Sequence, residues 1–141
     1  MKCESNFNYW GIKIIKMKPN KSMSDFWILK KVGEGTFGTV FKAIEIESGT
    51  HVAIKWAKAS KFEDGVPKDS FWEIQIHHLL KESPCIVQMK DFFFEQDTVF
   101  LVFECMQIDL HHLIKSWITP FSQDELKTLM RQILEALSHV H

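Results

Sequence analysis

The sequence predicts an α+β fold: a five-stranded antiparallel sheet carries one helix, and further helices follow it. Two segments rich in β-branched and aromatic residues flank a glycine-rich turn at residues 33–38, as in a β-hairpin. A third strand-like segment comes next, followed by a helical segment and two more strands. The end of the chain has the apolar spacing of an amphipathic helix. Together these patterns indicate a sheet first and helices afterwards.

The first three strands are expected at residues 26–32, 39–46 and 51–57. The turn between the second and third is Glu47-Ser48-Gly49-Thr50, which are typical turn residues. Within the third strand, side chains alternate between the two faces of the sheet. This alternation places Ala53 and Lys55 on one face, and Val52, Ile54 and Trp56 on the other.

A loop with Gly65 and Pro67 leads into a helix from about residue 70 to 81. Its expected apolar positions are Ile74, Ile76, His77, Leu79 and Leu80. Strands at 86–94 and 98–103 follow, joined at Gln96-Asp97, and the chain turns helical after Asp109. A capping box over residues 122–125 starts the last helix. The apolar face of that helix (Leu126, Leu129, Met130, Ile133, Leu134 and Leu137) is expected to pack on partners outside these 141 residues.

Composition limits the function classes. The chain has 141 residues, 45% hydrophobic and 25% charged, which suits one modest domain with a core. A net charge of −1 gives no indication of nucleic acid or of an anionic membrane as a partner. Cys3, Cys85 and Cys105 form no C-x-x-C pair, which favours a reducing compartment. Without an apolar run of membrane-spanning length or a signal peptide, we expect a soluble intracellular protein, cytoplasmic or nuclear.

Three regions are expected along the chain. Residues 1–24 form a basic, flexible extension, in which five lysines outnumber Glu4. Nucleic-acid contact, nuclear import and a short edge strand from Ile12, Ile14 and Ile15 remain open alternatives for this extension. Residues 25–107 form the sheet domain with the segment that leaves it, and residues 108–141 begin a helical region.

The glycine-rich turn has the pattern G-x-G-x-x-G, which alone is a weak signal because dinucleotide-binding folds share it. In those folds the third glycine opens a helix, whereas Gly38 leads into the strand-forming Thr39-Val40-Phe41. The pattern therefore predicts a hairpin whose tip lets backbone N–H groups approach phosphate oxygens. No G-K-[ST] is present, which excludes a P-loop. A plain glycine-rich hairpin stays open as the alternative.

Lys55 lies mid-strand among apolar residues, where an unpaired ammonium group is costly. Phosphate groups and the carboxylate of Glu73, on the following helix, are the expected anionic partners. The alternative for Lys55 is a side chain that reaches solvent. For Glu73 the alternative is a local role, because Ser70-Phe71-Trp72-Glu73 also fits a capping box.

These motifs resemble those of the cyclin-dependent protein kinases. Residues 33–43 are similar to that family's glycine loop, and residues 65–74 occupy the place of its cyclin-contacting helix, with the same spacing from Pro67 to Glu73. Residues 99–106 look like its hinge, with Asp109-Leu110 following. The four motifs agree in order and spacing over residues 26–141, which resemble the N-terminal half of the catalytic domain: the N-lobe and the first helices of a truncated C-lobe.

The resemblance implies an ATP site. Phe103 would be the gatekeeper behind adenine, and the backbone of Glu104 and Met106 would bind the adenine edge. Lys55, held by Glu73, would contact the α- and β-phosphates as the catalytic pair. The ATP-binding positions that the resemblance implies, including a purine cover from Val40 and Ala53 and a ribose contact from Asp109, are Val32, Gly33, Glu34, Gly35, Thr36, Phe37, Gly38, Val40, Ala53, Lys55, Phe103, Glu104, Cys105, Met106 and Asp109.

The sequence departs from the family at several points. Trp72 stands where an arginine usually pairs with a phosphorylated activation loop, and Phe37 replaces a tyrosine phosphosite, which puts that regulation in doubt. No H-R-D or D-F-G motif occurs, so the catalytic base and the Mg²⁺ ligands of the complete family domain are absent. No metal site is expected.

The sequence-based expectation is therefore the ATP-binding portion of a serine/threonine protein kinase, which transfers the γ-phosphate to a protein substrate in the full-length parent. The 141-residue chain is expected to be inactive by itself, as a fragment or a split-gene product. Two alternatives remain open: a non-catalytic pseudokinase module that binds a cyclin-like partner through helix 67–81, and a non-functional gene remnant.

Overall fold

The computed structural model describes residues 21–57, 68–96, 98–116 and 118–140. A 3₁₀ turn at Met23–Asp25 precedes five strands and three α-helices. In chain order these are β1 (Phe26–Gly35), β2 (Gly38–Glu45), β3 (His51–Ala57), α1 (Lys68–Leu79), β4 (Met89–Glu95), β5 (Thr98–Glu104), α2 (Leu110–Ser116) and α3 (Gln123–Val140). None of the helices in the described ranges is long and apolar enough to cross a membrane.

Several sequence-based expectations concern residues outside these ranges. They are the structure of residues 1–20 with the isoleucine edge strand, the environment of Cys3, the loop over residues 58–67, and Asp97 of the turn between β4 and β5. Gln96 in that turn is described and has a φ of 47°, the left-handed conformation of tight turns.

The sheet is antiparallel throughout, in the order β1-β2-β3-β5-β4, which confirms the predicted five-stranded sheet. The chain leaves the centre of the sheet after β3, runs through α1 and returns at the edge as β4. The β4–β5 hairpin then places β5 beside β3. Both β2 and β5 therefore flank the strand that carries Lys55.

Apolar side chains pack on both faces of the sheet. Val52 and Ile54 of β3 lie in one cluster with Phe93 and Phe100, as the predicted alternation requires. On the opposite face, Ile74 of α1 packs in a second cluster with Ala57, Val99 and Leu101. Burial of α1 against the sheet through this second cluster fixes where the helix lies.

Aromatic rings cross the first face in a continuous row that touches every strand. Phe26 stacks on Phe93 with 5.7 Å between ring centroids, and Phe93 stacks on Phe100 at 4.9 Å. Trp56 continues the row, 5.4 Å from Phe100 and 6.0 Å from Phe41. Offset and tilted ring pairs of this kind add to the stabilisation from apolar burial.

Helix α1 begins two residues earlier than predicted, at Lys68, and it ends at Leu79 rather than near residue 81. Ile74 is buried against the sheet and Ser70 is also buried, whereas Ile76 is 49% exposed and Leu79 is 80% exposed. Of the predicted apolar positions of this helix, Ile76 and Leu79 are therefore exposed to solvent. Packing on the sheet determines which side of α1 is buried. Because this short helix has apolar residues on both sides, the sequence pattern alone does not identify the buried side.

Strand boundaries also shift slightly. Strand β4 begins at Met89 instead of residue 86, because the side-chain amide of Gln88 bonds to the backbone oxygens of Ser83 at 2.8 Å and Ile86 at 2.7 Å. These bonds hold residues 83–88 in a turn. Strand β1 continues through Gly33 to Gly35, and β2 ends at Glu45 rather than 46.

The capping box of the last helix is confirmed. The backbone N–H of Ser122 donates to Glu125 Oε2 at 2.8 Å, and the backbone N–H of Glu125 donates to Ser122 Oγ at 3.3 Å. Hydrogen bonds from Ser122 lower the pKa of the Glu125 carboxyl. The apolar side of α3 is partly exposed, with Met130 and Leu134 each more than half accessible.

A charged cluster, the Lys21 clasp, joins two strands that are not neighbours in the sheet. Lys21 Nζ lies 2.6 Å from Glu45 Oε1 at the end of β2 and 3.1 Å from Asp91 Oδ2 on β4. The backbone N–H of Met23 donates to Glu95 Oε2, also on β4, at 2.8 Å. Residues 21–24 of the predicted extension thus contact the sheet, and the proposed boundary at residue 24 stays a prediction.

Ionic bonding in the clasp changes proton affinities. Hydrogen bonds from Lys21, and then from Ser48, lower the pKa of the Glu45 carboxyl. The bond to Glu45 raises the pKa of Lys21. A carboxyl group whose pKa is lowered by folding stabilises the folded state at pH values above the ordinary carboxyl pKa. That stabilisation is lost as the pH falls through the folded-state pKa.

We predict that Lys21→Met lowers the free energy of unfolding by about 1 kcal/mol at pH 7, as expected for a partly exposed ion pair. The difference from wild type should shrink as the pH falls below 4.5, the ordinary pKa of Glu45. Urea denaturation between pH 3 and pH 7 measures this. Lys30→Met, at an exposed position on β1, is the control, and an equal effect of the two variants would contradict the role of the clasp.

Candidate functional site

The glycine hairpin formed by β1 and β2 places Gly33 opposite Val40 and Gly35 opposite Gly38. A Cβ atom added to Gly33 or Gly35 would meet nothing within 4 Å. The packing of the protein itself therefore does not require glycine at these two positions, and space is open above the backbone there. A ligand that contacts backbone N–H groups could use that space.

Gly38 has a different role. Its φ is +147°, and an added Cβ would lie 2.3 Å from the backbone oxygen of Trp56 on β3. Real side-chain carbons do not approach so closely, so the hairpin can lie this near β3 only with glycine at position 38. Gly38 thereby fixes the tip of the hairpin beside the strand that carries Lys55.

The central polar contact joins β3 to α1. Lys55 Nζ lies 2.7 Å from both carboxylate oxygens of Glu73, and the two side chains are 19% and 28% exposed. Lys55 is opposite Val40 on one side and Leu101 on the other. The cation is thus held in one position beneath the hairpin, which supports the expected pair and excludes a side chain that simply reaches solvent.

Glu73 is not the capping residue of its own helix. The alternative required Ser70 at the helix start, but α1 begins at Lys68 and Ser70 lies inside it. Both of its carboxylate oxygens contact Lys55 on β3, so Glu73 lies on the side of α1 that meets the sheet.

Phe37 lies at the tip of the hairpin, and its ring centroid is 6.0 Å from Lys55 Nζ. The ring is 72% exposed. A cation at this distance from an aromatic face is weakly attracted to it. The hairpin tip and the Lys55–Glu73 pair therefore occupy one compact region.

Apolar side chains extend this region toward the end of β5. Ala53 on β3 is opposite Phe103 on β5, and Val40 on β2 is opposite Lys55. Beyond Phe103 lies His77 of α1, whose ring meets the Phe103 ring edge-on at 4.9 Å between centroids. The contact was not predicted from the sequence. His77 is one helical turn after Glu73, and that spacing indicates only that the two residues share one side of α1.

The segment after β5 supplies polar backbone groups. The N–H of Glu104 donates to the carbonyl of Gln88 at 3.0 Å, and the Glu104 side chain accepts from the N–H of Gln88 at 2.8 Å. The Glu104 N–H is therefore in use, which leaves its carbonyl oxygen as the group that could accept another hydrogen bond. Cys105 is half-buried and Met106 is exposed.

Asp109 begins α2. Its Oδ1 accepts the backbone N–H of His112 at 2.7 Å, and His112 Nδ1 lies 2.9 Å from Oδ1 and 2.8 Å from Oδ2. Hydrogen bonds from the backbone and then from the side chain of His112 lower the pKa of the Asp109 carboxyl. His112 was not among the site residues predicted from the sequence.

The expected site residues come from four parts of the fold. Val32, Gly33, Glu34, Gly35, Thr36, Phe37, Gly38 and Val40 belong to the hairpin, Ala53 and Lys55 to β3, Glu73 to α1, and Phe103, Glu104, Cys105, Met106 and Asp109 to the end of β5 and the segment after it. In the hairpin, Glu34 forms an ion pair with Lys31. Contacts tie the hairpin tip, β3 and α1 together, whereas the roles of the individual residues toward a ligand stay predictions.

No group of three or more histidine, cysteine, aspartate or glutamate residues in the described ranges is arranged to hold a metal ion. The paired histidines at 77–78 and 111–112 are included in that finding.

Comparison with known proteins identifies relatives of this arrangement. The family model for the protein kinase domain matches residues 26–141. Cyclin-dependent kinase G-2 of Oryza sativa subsp. indica is 36% identical over 127 residues, which cover 86% of this chain and 17% of that protein. Cyclin-dependent kinase 20 of Danio rerio is 34% identical over 84% of this chain and 35% of its own length. Cyclin-dependent kinase 10 of Mus musculus is 33% identical over 86% of this chain and 34% of its own length.

These matches agree with the fold described above and with the resemblance in the sequence motifs. The chain spans from about a sixth to about a third of the length of these curated relatives. The match begins at Phe26, the first residue of β1.

Two glycine substitutions test which glycine of the hairpin is required by packing and which one faces open space. Gly38→Ala should lower the free energy of unfolding by about 2 kcal/mol or more, since the new Cβ strains a positive-φ position and meets the Trp56 backbone. Gly33→Ala should change it by less than about 0.5 kcal/mol. Chemical denaturation of both variants measures this, and equal losses would contradict the placement of the hairpin.

Proposed function

The chain belongs to the protein kinase family, and from that premise we propose that it is the ATP-binding portion of a cyclin-dependent-kinase-like serine/threonine protein kinase. The observation that supports this most strongly is the two-fold contact of Lys55 with Glu73 beneath the glycine hairpin. The pair presents a fixed cation where a triphosphate can approach from the open side of the hairpin.

ATP would lie between the hairpin and the end of β5. In this proposal Val40 and Ala53 cover the purine, Phe103 closes the slot behind it, and the Glu104 carbonyl accepts from the adenine amino group. The backbone of Met106 binds the adjacent edge, and Asp109 lies beside the ribose. An apolar slot with a few fixed polar groups suits a purine.

The phosphates would meet the backbone of Gly33 to Gly38 and the ammonium group of Lys55. The open space where a Cβ of Gly33 or Gly35 would lie supports this placement, because phosphate oxygens could approach the backbone closely there. Lys55 has three N–H groups, and the two oxygens of Glu73 leave donor capacity for a phosphate oxygen. Glu73 thereby orients the cation instead of contacting the nucleotide.

Complete kinase domains use Mg²⁺ together with ATP, but the described residues do not fit a metal site. The 141 residues also contain no H-R-D or D-F-G motif. We therefore assign these residues binding and orientation of the nucleotide, and we expect no measurable phosphoryl transfer when the 141-residue chain is assayed by itself with radiolabelled ATP and a serine-containing protein substrate. Incorporation of label above an enzyme-free control would contradict this assignment.

A second candidate function is docking of a cyclin-like protein on α1, favoured by one observation. The outer side of the helix exposes a line of large apolar residues, with Trp72 52% and Leu79 80% accessible, and Phe71 and Ile76 beside them. Tryptophan is enriched among the residues that contribute most to protein interfaces. The Trp72 that stands in place of the family's arginine suits a partner's apolar surface better than a phosphate group.

For nucleotide binding, we predict that ATP raises the melting temperature of the wild-type chain by several degrees. Ligand at about ten times its Kd stabilises a protein by about 1.4 kcal/mol. Lys55→Met and Ala53→Phe should abolish the shift, because the first removes the cation and the second fills the purine slot. Scanning fluorimetry with and without Mg²⁺ measures this.

Lys90→Met, at an exposed position on β4, is the matched control and should keep the full shift. No shift of the wild-type chain, or a full shift of Lys55→Met, would contradict the proposed nucleotide site.

For docking on α1, we predict that at least one of a panel of purified cyclins binds the chain. Ile76→Glu and Leu79→Glu should each weaken that binding about tenfold or more, since a charge in an apolar interface is poorly solvated. Leu134→Glu on α3 is the control and should bind as wild type does. Isothermal titration calorimetry measures the affinity of each cyclin for the wild-type chain and the variants. If no cyclin of the panel binds the wild-type chain, docking on α1 is contradicted.

A further inference from the structure

Helix α3 has an apolar stripe that the described part of the protein leaves accessible. No residue of this helix, Gln123–Val140, is buried. The stripe, which we call the α3 seam, has five residues, each between 41% and 54% exposed. They are Leu126, Met130, Ile133, Leu137 and Val140. A continuous apolar stripe at a protein surface marks a site of interaction.

The spacing within the α3 seam is that of a coiled coil. Successive residues of the seam are separated alternately by four and by three positions. Their mean separation is therefore the repeat of about 3.5 residues with which two helices pack along a common seam. Leu134, which is 60% exposed, lies next to the seam and widens it. The occupant that fits this spacing is another helix, inclined by about 20° to the axis of α3.

The α3 seam is also complementary to itself. Let two α3 helices lie antiparallel about a two-fold axis that passes between residues 131 and 132. Met130 of one copy is then level with Ile133 of the other, and Leu126 is level with Leu137. A closed pair of identical chains requires such a surface, because the same patch must fit itself. A second copy of this chain therefore supplies the helix that the spacing requires.

Charges beside the seam favour the antiparallel orientation. In that orientation Asp124 of one copy is level with His139 of the other, and Lys127 is within one position of the level of Glu135. A parallel pair would instead bring each acidic and each basic residue level with the same residue of the second copy. Opposite charges across an interface favour an arrangement, whereas like charges disfavour it.

A contact with the turn after α1 lies on the other side of α3. Cys85 Sγ in that turn is 3.8 Å from Glu135 Oε2. With about 3.6 residues per turn, Glu135 is on the opposite side of the helix from Met130 and Leu137. The α3 seam therefore faces away from this contact, on the side where a second copy can approach.

The length of the α3 seam sets the size of the contact. Residues 126–140 extend over about 20 Å of helix. Two helices packed over that length bury on the order of 1,000 Å², which is the lower limit for a specific interface. The expected association is therefore of moderate strength, with a dissociation constant of about 1–100 μM.

We propose that α3 is an association surface for a second copy of this chain, and that two chains form an antiparallel, two-fold dimer through the α3 seam. The proposal is independent of the nucleotide site, because none of the residues assigned to that site lies on α3. A dimer of this kind leaves the glycine hairpin and the Lys55–Glu73 pair accessible, since its contacts come from α3.

Sedimentation equilibrium of the 141-residue chain tests this. The average mass at about 200 μM should approach twice the 16.6 kDa of one chain, and it should fall toward 16.6 kDa on dilution to about 0.5 μM. Met130→Glu and Ile133→Glu should each weaken dimerisation about tenfold or more, since a charge in an apolar interface is poorly solvated. Gln132→Glu adds the same charge on the other side of α3 and should dimerise as wild type does. Circular dichroism checks that all three variants keep the helix content of the wild-type chain.

A wild-type chain that stays monomeric up to about 200 μM would overturn the proposal, and the α3 seam would then belong to a different occupant. Masses that rise beyond that of a dimer would also overturn it, because a two-fold pair is closed. An equal loss of association in Met130→Glu and Gln132→Glu would contradict the assignment to the seam.

Disulfide mapping tests the orientation separately. After oxidation of an equimolar mixture of Leu126→Cys and Leu137→Cys, peptide mapping by mass spectrometry should find position 126 of one copy joined to position 137 of the other. Leu126→Cys alone should form no disulfide between the two copies of position 126, because they lie about 16 Å apart along the axis of an antiparallel pair. A disulfide between the two copies of position 126 would overturn the antiparallel orientation.

Discussion

The ion pair between Lys55 and Glu73 is the interaction on which the candidate site depends. A lysine in the middle of a central strand, opposite Val40 and Leu101, is poorly solvated and requires an anion. The carboxylate comes from α1, and α1 can supply it only because Ile74, the next residue, is buried against Val99 and Leu101. Apolar packing thus positions the helix, and the helix positions the charge. The cost of removing either partner would be larger than that of an exposed pair, since the remaining charge would stay partly buried.

The hairpin satisfies a second constraint around the same cation. Gly38 brings the backbone of β2 against β3, while Gly33 and Gly35 leave the space above them open. One glycine is therefore needed by the protein, and the other two leave room for a ligand. Two contacts of Glu104, the last residue of β5, with Gln88 hold the end of that strand in place. In the proposed site, the cation, the hairpin backbone and the apolar residues before Glu104 would together supply what a purine nucleotide requires.

The sequence predicted the parts of this arrangement that follow from spacing. Strand β3 was predicted at the observed residues. Its alternation placed Lys55 on the face of the sheet that does not carry Val52, and the position of Glu73 on the following helix indicated the ion pair. The buried side of α1 was predicted only in part, because apolar residues occur on both of its sides. Tertiary packing buries Ile74 and leaves Ile76 and Leu79 exposed. The Lys21 clasp and the contact of His77 with Phe103 also escaped prediction, because each joins elements that are distant in sequence. The bond between Asp109 and His112 is local, but polar pairs three residues apart are too common for the pattern alone to assign a role.

The most direct test of the central claim is covalent labelling with an acyl phosphate of ATP, in which a nearby lysine amine attacks the acyl carbon to form an amide and releases ATP. Peptide mapping by mass spectrometry then identifies the lysine that the bound phosphates approach. The account predicts labelling concentrated on Lys55 and suppressed by excess ATP. Labelling spread over exposed lysines such as Lys30 and Lys90, with no suppression by ATP, would contradict it.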